Sequence, residues 1–494
     1  MKISNILLTI MVLLAACYFG YEIIFVLPKL SGFGVLTLNY LLIGCEILCT
    51  VFSIYLYHSV FCAIEWKSPE YKKLKRYPFV SLQIPVFNES MNVLKKTLKA
   101  ALNQDYPKNR YEIIVADDTY DKRKVKSLKE FCDKHKIKYF HRNNRRGFKA
   151  GALNDILIYS RGEFIALLDA DDRPEPEFLS HTVSVISKNP KIAVVQTRNA
   201  ERNENYNTVT AIGRMMRDLF FGAIQKSKDT RKLGIFCGSG GIIRKNVLEE
   251  CGNWPENTVT EDIDITTFLL AKGYYTAFAN PIKCRGLLSP TFTGFTNQTF
   301  RWAHGTTRTF LLRWRIILKI PGFWRKVEHF LSTLTYLLGP SMLLIDLFLI
   351  IHLITKVPIF HMHEARTVWV FGLFFALSAL FSLFYVQLKD NRIELKRIIT
   401  YIFVMYGLAV NFTLAVISAI FNFKISFFRT PRSKGKKDYM QIMKRFWIET
   451  LIGFVSIYSG LINISNPTYA PQASWVIFFG IGFLIAPALA IKYG

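Results

Sequence analysis

Six apolar runs, each long enough to cross a bilayer, bracket a stretch at about 79–290 that contains none. The runs lie at roughly 5–27, 34–60, 329–355, 366–388, 446–465 and 474–492; a spanning helix needs about 20 consecutive apolar residues. This layout calls for a membrane bundle carrying one large polar domain between its second and third spans. Composition agrees with it, at 51% hydrophobic and 20% charged residues, against about 25% charged in an ordinary soluble domain. The eight cysteines include no CxxC pair, and Cys17, Cys45, Cys49 and Cys62 fall in apolar runs. They read as reduced, buried thiols rather than a disulfide framework.

The net charge of +27 raises nucleic acid as a partner, but the basic residues do not outline a groove. They cluster beside apolar segments: "WKSPEYKKLKRYP" at 66–78, "KDNRIELKR" at 389–397 and "KISFFRTPRSKGKKDYMQIMKR" at 424–445. Such clusters mark cytoplasmic loops and suit anionic headgroups or a nucleotide diphosphate. No nucleic-acid partner is expected. The run 398–423 is also long and apolar. A crossing there would carry the basic stretch 424–445 to the outer side, so an interfacial or re-entrant helix is expected, with seven spans as the alternative. "MKISNILLTIMVLLAAC" resembles a lipoprotein signal before Cys17, yet the apolar run continues through Val26, which favours a full span. Either way the large domain is cytoplasmic, in a multi-pass protein of the plasma membrane.

Within 79–290, short apolar runs end in polar residues: "FVSLQIPVFNES", "EIIVADDTYD", "EFIALLDADD" and "IAVVQTRNA". Helical segments such as "MNVLKKTLKAALNQ" lie between them. Strands alternating with helices predict a largely parallel sheet with its ligand site at the carboxyl ends of the strands. Carboxylates gather at those ends: Asp117 and Asp118, then Asp169 and Asp171, and Glu261 and Asp262 at a helix start. Like charges at a strand end repel unless a cation joins them, and Asp-x-Asp on one face suits Mg2+ or Mn2+. Each signal alone has a plainer reading, as a solvated turn, a helix N-cap, a surface lysine or a Gly-rich turn. Their shared order along one domain is what argues for chemistry.

That order resembles the processive family 2 glycosyltransferases, the superfamily of cellulose, hyaluronan, mannan and related β-glycan synthases. The matching stretches are "VSLQIPVFNES", "VADDT", "GFKAGALN", "LLDADD", "FCGSGGIIRK", "TVTEDIDI" and "QTFRW", with "FFRTPR" at 427–432 similar to a gating-loop motif. The resemblance implies an α/β GT-A domain inserted between transmembrane helices, about six spans plus interfacial helices. It implies inverting transfer of a hexose from a nucleotide-diphosphate sugar to a growing glycan, which is threaded across the bilayer. Carried over, Asp118 with Glu89 and Asp117 would hold the nucleoside, Lys149 the diphosphate, and Asp169 and Asp171 the metal and donor phosphates. Asp262 would be the catalytic base. Gln298 and Arg301 would border the diphosphate; Trp302, Glu261, Cys237, Gly238 and Ser239 would line the acceptor and product side. Phe427, Arg429 and Thr430 would belong to the gating loop, where Arg429 departs from the usual apolar residue.

The expected organisation is two N-terminal spans over 1–62, the catalytic domain over 63–290 and interfacial helices over 291–328. Two spans over 329–388 follow, then the re-entrant helix and gating-like loop over 389–445 and two spans over 446–494. The chemistry needs these residue types independently. One carboxylate takes the acceptor proton, cations offset the departing diphosphate, and a flat indole holds a sugar ring. Trp302 near a membrane also suits an aromatic belt, but Gln298 and Arg301 share its helical face, which favours a sugar platform. The alternatives are a single transfer to a lipid acceptor and, from another class, a transporter or non-catalytic scaffold.

Overall fold

The computed structural model describes residues 3–29, 32–357, 365–423 and 439–494. The expected gating-loop residues Phe427, Arg429 and Thr430 lie outside the described residues.

Eight strands form one sheet: β1 (Val80–Val86), β2 (Tyr111–Asp117), β3 (Lys138–His141), β4 (Phe164–Leu167), β5 (Arg173–Pro174), β6 (Ile192–Glu201), β7 (Gly241–Arg244) and β8 (Tyr275–Gly286). Their order is β3-β2-β1-β4-β7-β6-β8-β5. The four apolar runs read as strands are β1, β2, β4 and β6. Strands β1 to β4 pair in parallel, as do β6 and β8. However, β7 runs antiparallel to both β4 and β6, and β5 antiparallel to β8. The sheet is therefore mixed, and the largely parallel expectation holds for its first half. The difference lies in "GGIIRK", whose four-residue strand is too short to show a period and was masked by its glycines.

Both faces of the sheet are covered. Ser90 caps the helix Met91–Leu102 by accepting the Val93 N–H, and that helix buries Leu94, Leu98 and Ala101 against Val80, Leu82 and Ile84. On the other face Ala150, Leu153 and Leu157 pack with Ile165, Leu167, Trp254 and Leu269. Burial on both sides leaves the carboxyl edge as the natural ligand site. There the ends of β1, β2 and β3 align, with Val86 beside Asp117 and Asp117 beside His141.

Among the described residues, four helices are long and apolar enough to cross a membrane: Ile3–Phe25, Gly34–Glu65, Phe323–Thr355 and Ala470–Tyr493. Leu373–Lys389 and Trp447–Leu461 are shorter apolar helices. The latter stops before the expected limit near 465, where Asn463 turns its amide onto the Ser459 and Leu353 carbonyls and Pro467 follows.

Leu395–Gly407 and Ala409–Ile420 bend by 41° at their junction. The start of this pair is clasped to the α/β domain. Asp390 meets Arg198 at 2.9 Å, Glu394 pairs with Arg214, and Arg392 meets Glu204 at 2.9 Å. Its end returns to the helix Phe292–Ile317, where Ser418 Oγ lies 2.6 Å from His304 Nδ1. Of the acidic residues expected inside the membrane, Glu22, Glu46 and Asp346 are buried, and Asp346 accepts the Ser456 hydroxyl at 2.9 Å.

Candidate active site

Lys149 joins three segments that are far apart in the chain. It stands in the first turn of the helix Phe148–Leu157. Its Nζ donates to Asp169 Oδ1 at 2.7 Å and to the Gly238 carbonyl at 2.8 Å, and lies 3.6 Å from Glu261 Oε1. Burial disfavours its charge, but Asp169 and then Glu261 outweigh burial and hold the ammonium well above its usual range. One cation thus gathers the end of β4, the loop before β7 and the start of the helix Glu261–Ala271.

Asp262 sits in the first turn of that last helix. Its Oδ1 accepts the Ile263 N–H at 2.8 Å. Gly238, at φ +74, brings backbone so close that a Cβ would meet Asp262 Oδ2 at 3.0 Å; only glycine fits there without strain. Burial, then repulsion from Glu261, pushes the Asp262 carboxyl up to about 7. Thr260 does not cap the helix; its hydroxyl meets Thr309 at 3.4 Å. The neighbouring Asp264 is structural, fully buried and gripped by Arg313 Nε at 2.8 Å.

The loop Cys237-Gly238-Ser239 is fixed by Gln196, which accepts the Cys237 N–H at 2.9 Å and donates to the Ser239 carbonyl at 2.9 Å. At the end of β2, Asp117 is fully buried. Its oxygens accept from the Thr119 N–H at 3.0 Å and the Tyr139 hydroxyl at 2.7 Å, so it shapes the turn that presents Asp118. Both Asp118 oxygens accept from Arg142, each at 2.6 Å. Arg142 also donates to the Phe148 carbonyl at 3.0 Å, beside Lys149, which ties Asp118 to the same cluster. Glu89 is buried just beyond β1, next to Asn88, whose φ is +53.

Asp171 is buried, and its Oδ2 accepts the Leu287 N–H at 2.8 Å. The Asp169 side chain is 41% exposed, and Asp172 Oδ2 accepts the Asp169 N–H at 2.9 Å. Burial, then Asp169 and Asp171, push the Asp172 carboxyl up to about 7. Three carboxylates in one turn carry more negative charge than Lys149 offsets. Among the described residues, no group of three or more His, Cys, Asp or Glu side chains forms a ready metal cage. Two hard oxygen donors fit Mg2+ or Mn2+, which are usually held by one or two carboxylates plus substrate phosphates.

Gln298, Arg301 and Trp302 lie part-buried on the helix Phe292–Ile317. With Gly305 they occupy positions i, i+3, i+4 and i+7, one face of the helix. Gly305 packs so tightly on Thr260 that a Cβ there would overlap the threonine methyl. The Gln-Arg-Trp face is thereby docked one to two turns from Glu261 and Asp262. Direct contacts join Lys149, Asp169, Gly238 and Glu261 and, through Arg142 and the Phe148 carbonyl, Asp118; the helix of Gln298, Arg301 and Trp302 approaches this cluster through Gly305 on Thr260.

Sequence reading missed Arg142, because a lone arginine after a short strand has no spacing to mark it. It also passed over Asp172, although that residue stands inside the quoted "LLDADD" and its burial was the missing signal.

A GT-A-like α/β domain with an acidic, lysine-bridged carboxyl edge defines a nucleotide-sugar glycosyltransferase scaffold. Residues 81–252 match the model of "Glycosyl transferase family 2", and the chain is similar to a cellulose synthase and to glucomannan mannosyltransferases. The chain is 34% identical over 241 residues to the UDP-forming cellulose synthase catalytic subunit of Pseudomonas fluorescens, covering 48% of this chain and 32% of that protein. It is 35% identical over 262 residues to probable glucomannan 4-beta-mannosyltransferase 2 of Oryza sativa subsp. japonica, covering 51% and 45%. The match spans about a third to a half of these relatives. A solved mannosyltransferase from Pyrobaculum calidifontis, in complex with GDP-mannose and Mn2+, aligns with a TM-score of 0.53 over 78% of this chain and all of that one. At 17% identity it is a likeness of fold.

Proposed function

We propose that the protein is a membrane-embedded inverting hexosyltransferase that builds a β-linked glycan from a UDP- or GDP-hexose and passes it across the bilayer. One observation carries the reading: Lys149 bridges Asp169, the Gly238 carbonyl and Glu261, which places a fixed cation beside the acid of a first helical turn. Asp262, pushed up to about 7, is poised to take the acceptor hydroxyl proton near neutral pH. Attack on the anomeric carbon from the side opposite the leaving group inverts its configuration. Lys149 and Arg301 stabilise the negative charge released on the diphosphate. Asp171 and Asp169 would hold Mg2+ or Mn2+, which supplies further charge neutralisation to the leaving group.

Asp118, oriented by Arg142, and Glu89 bound the nucleoside side. Trp302 faces the acceptor with Cys237, Gly238 and Ser239. The arginine clasp on residues 390–394 keeps that loop on the catalytic side of the membrane. The return of Ser418 to His304 supports the interfacial or re-entrant reading of 395–420.

The test incubates purified membranes with a panel of UDP- and GDP-hexoses plus Mg2+ or Mn2+ and measures the nucleotide released. Metal-dependent release from one donor, with a polymer as product, is expected. A single glycolipid product instead would make the lipid-acceptor alternative correct, and no release from any donor would leave a transporter or scaffold.

A further inference from the structure

The base-bearing helix is tied to the membrane bundle by a largely buried polar chain. It begins on the spanning helix Gly34–Glu65, where His58 Nε2 lies 3.0 Å from an Arg231 terminal nitrogen. Arg231 donates to Glu328 Oε2 at 2.6 Å. The next residue, His329, faces the other way, and its Nε2 lies 2.9 Å from Thr267 Oγ1. Thr267 Oγ1 in turn donates to the Ile263 carbonyl at 2.9 Å, one residue past Asp262. Its neighbour Thr266 donates to the Asp262 carbonyl at 2.7 Å.

The protonation pattern follows from counting hydrogens. The Thr267 hydroxyl has one proton, and the Ile263 carbonyl takes it. With the imidazole proton on Nε2, His329 donates to that oxygen and all three groups are satisfied. His58, Lys228, Glu328 and His329 are all buried. Lys228 Nζ, Glu328 Oε1 and His329 Nδ1 have no hydrogen-bond partner among the described residues. Buried polar groups left in that state lower stability, and apolar residues of similar size would often serve as well or better. A chain that costs stability yet ends on the backbone of the catalytic turn is best explained by geometry.

We propose that His329 is a positioning residue, which holds the first turn of the Glu261–Ala271 helix through Thr267 and so links the aim of Asp262 to the packing of the helix that enters the membrane. This rests on Asp262 being the base. A displacement of about 1 Å at a reacting group costs on the order of 100-fold in rate, so a loosened turn acts on kcat, while the hydrogen bonds of Lys149 to Asp169 and Gly238 and of Asp118 to Arg142 lie outside it.

The test compares His329→Ala with His329→Gln, whose amide nitrogen can replace the Nε2 donor, and reads steady-state kinetics and amide hydrogen exchange across 261–267. His329→Ala is expected to lower kcat about 10- to 100-fold, with the donor KM changed by about twofold or less. Exchange at 263–267 should quicken, and His329→Gln should restore both. Should His329→Ala not fold, Thr267→Val removes the same contact and carries the same expectation. Unchanged kcat, an equal rise in donor KM, or a loss that His329→Gln does not repair overturns the proposal. If the wild type releases no nucleotide from any donor, the functional reading fails by itself, while exchange at 263–267 still reports whether His329 holds that turn.

Discussion

Replacing Asp262 by Asn should separate stability from activity. In the folded protein this carboxyl is pushed from 3.8 up to about 7, by burial first and Glu261 second. A group that binds its proton more tightly when folded stabilises the fold below about pH 4; that contribution is lost as pH rises through about 7. The gap is worth about 4 kcal/mol above pH 7, taking about 1.36 kcal/mol per tenfold change in proton affinity. Asn has the same shape without the charge, so Asp262→Asn should be more stable than the wild type at pH 8, by up to about 4 kcal/mol. The gain should shrink to less than about 2 kcal/mol at pH 5 and vanish only below about pH 4, where the unfolded carboxyl is protonated as well. Nucleotide release should fall about 10²- to 10⁴-fold, the usual weight of a general base. Thermal unfolding in detergent at both pH values, paired with steady-state nucleotide release, reads both quantities. A variant less stable than wild type at pH 8, or one that keeps turnover within about tenfold, would refute the reasoning.

The same carboxyl gives a pH profile. Because the base must be deprotonated to act, kcat/KM should fall with decreasing pH through a midpoint near 7. Lys149→Met should reduce nucleotide release about 10²- to 10³-fold, since it removes a fixed charge from the leaving group. Asp264→Asn, by contrast, should lower stability by about 1–3 kcal/mol, because the part-buried Arg313 loses the fully buried carboxylate that pairs with it; the folded variant should keep its donor KM. Chelation with EDTA should stop release, Mn2+ or Mg2+ should restore it, and Asp171→Asn should raise the metal concentration required. Trp302→Phe should keep more polymer synthesis than Trp302→Ala, with nucleotide affinity similar in both, if the ring serves the acceptor.

Local physics made much of this molecule legible in advance. The strands β1, β2, β4 and β6 show as apolar runs ending in polar residues, and the acidic clusters stand at their ends because a buried strand must hand over to solvent there. What the sequence hid depends on distant contacts. Arg142 reaches Asp118 across 24 residues, and His329 reaches Thr267 across 62; neither pair has a spacing to recognise. β7 was obscured by its glycines, although Gly238 has a positive φ for the close approach that lets Asp262 and Lys149 meet the loop. The helix Trp447–Leu461 ended early because Asn463 and Pro467 break the backbone pattern that its apolar side chains would otherwise continue.

Stereochemistry tests the mechanism most directly. Product made from an α-linked nucleotide hexose can be examined by anomeric proton coupling in NMR and by digestion with linkage-specific glycosidases. Direct displacement with one carboxylate taking the proton predicts a β linkage throughout. An α-linked product would mean two displacements or retention at the anomeric carbon, and Asp262 could not be the lone base described here.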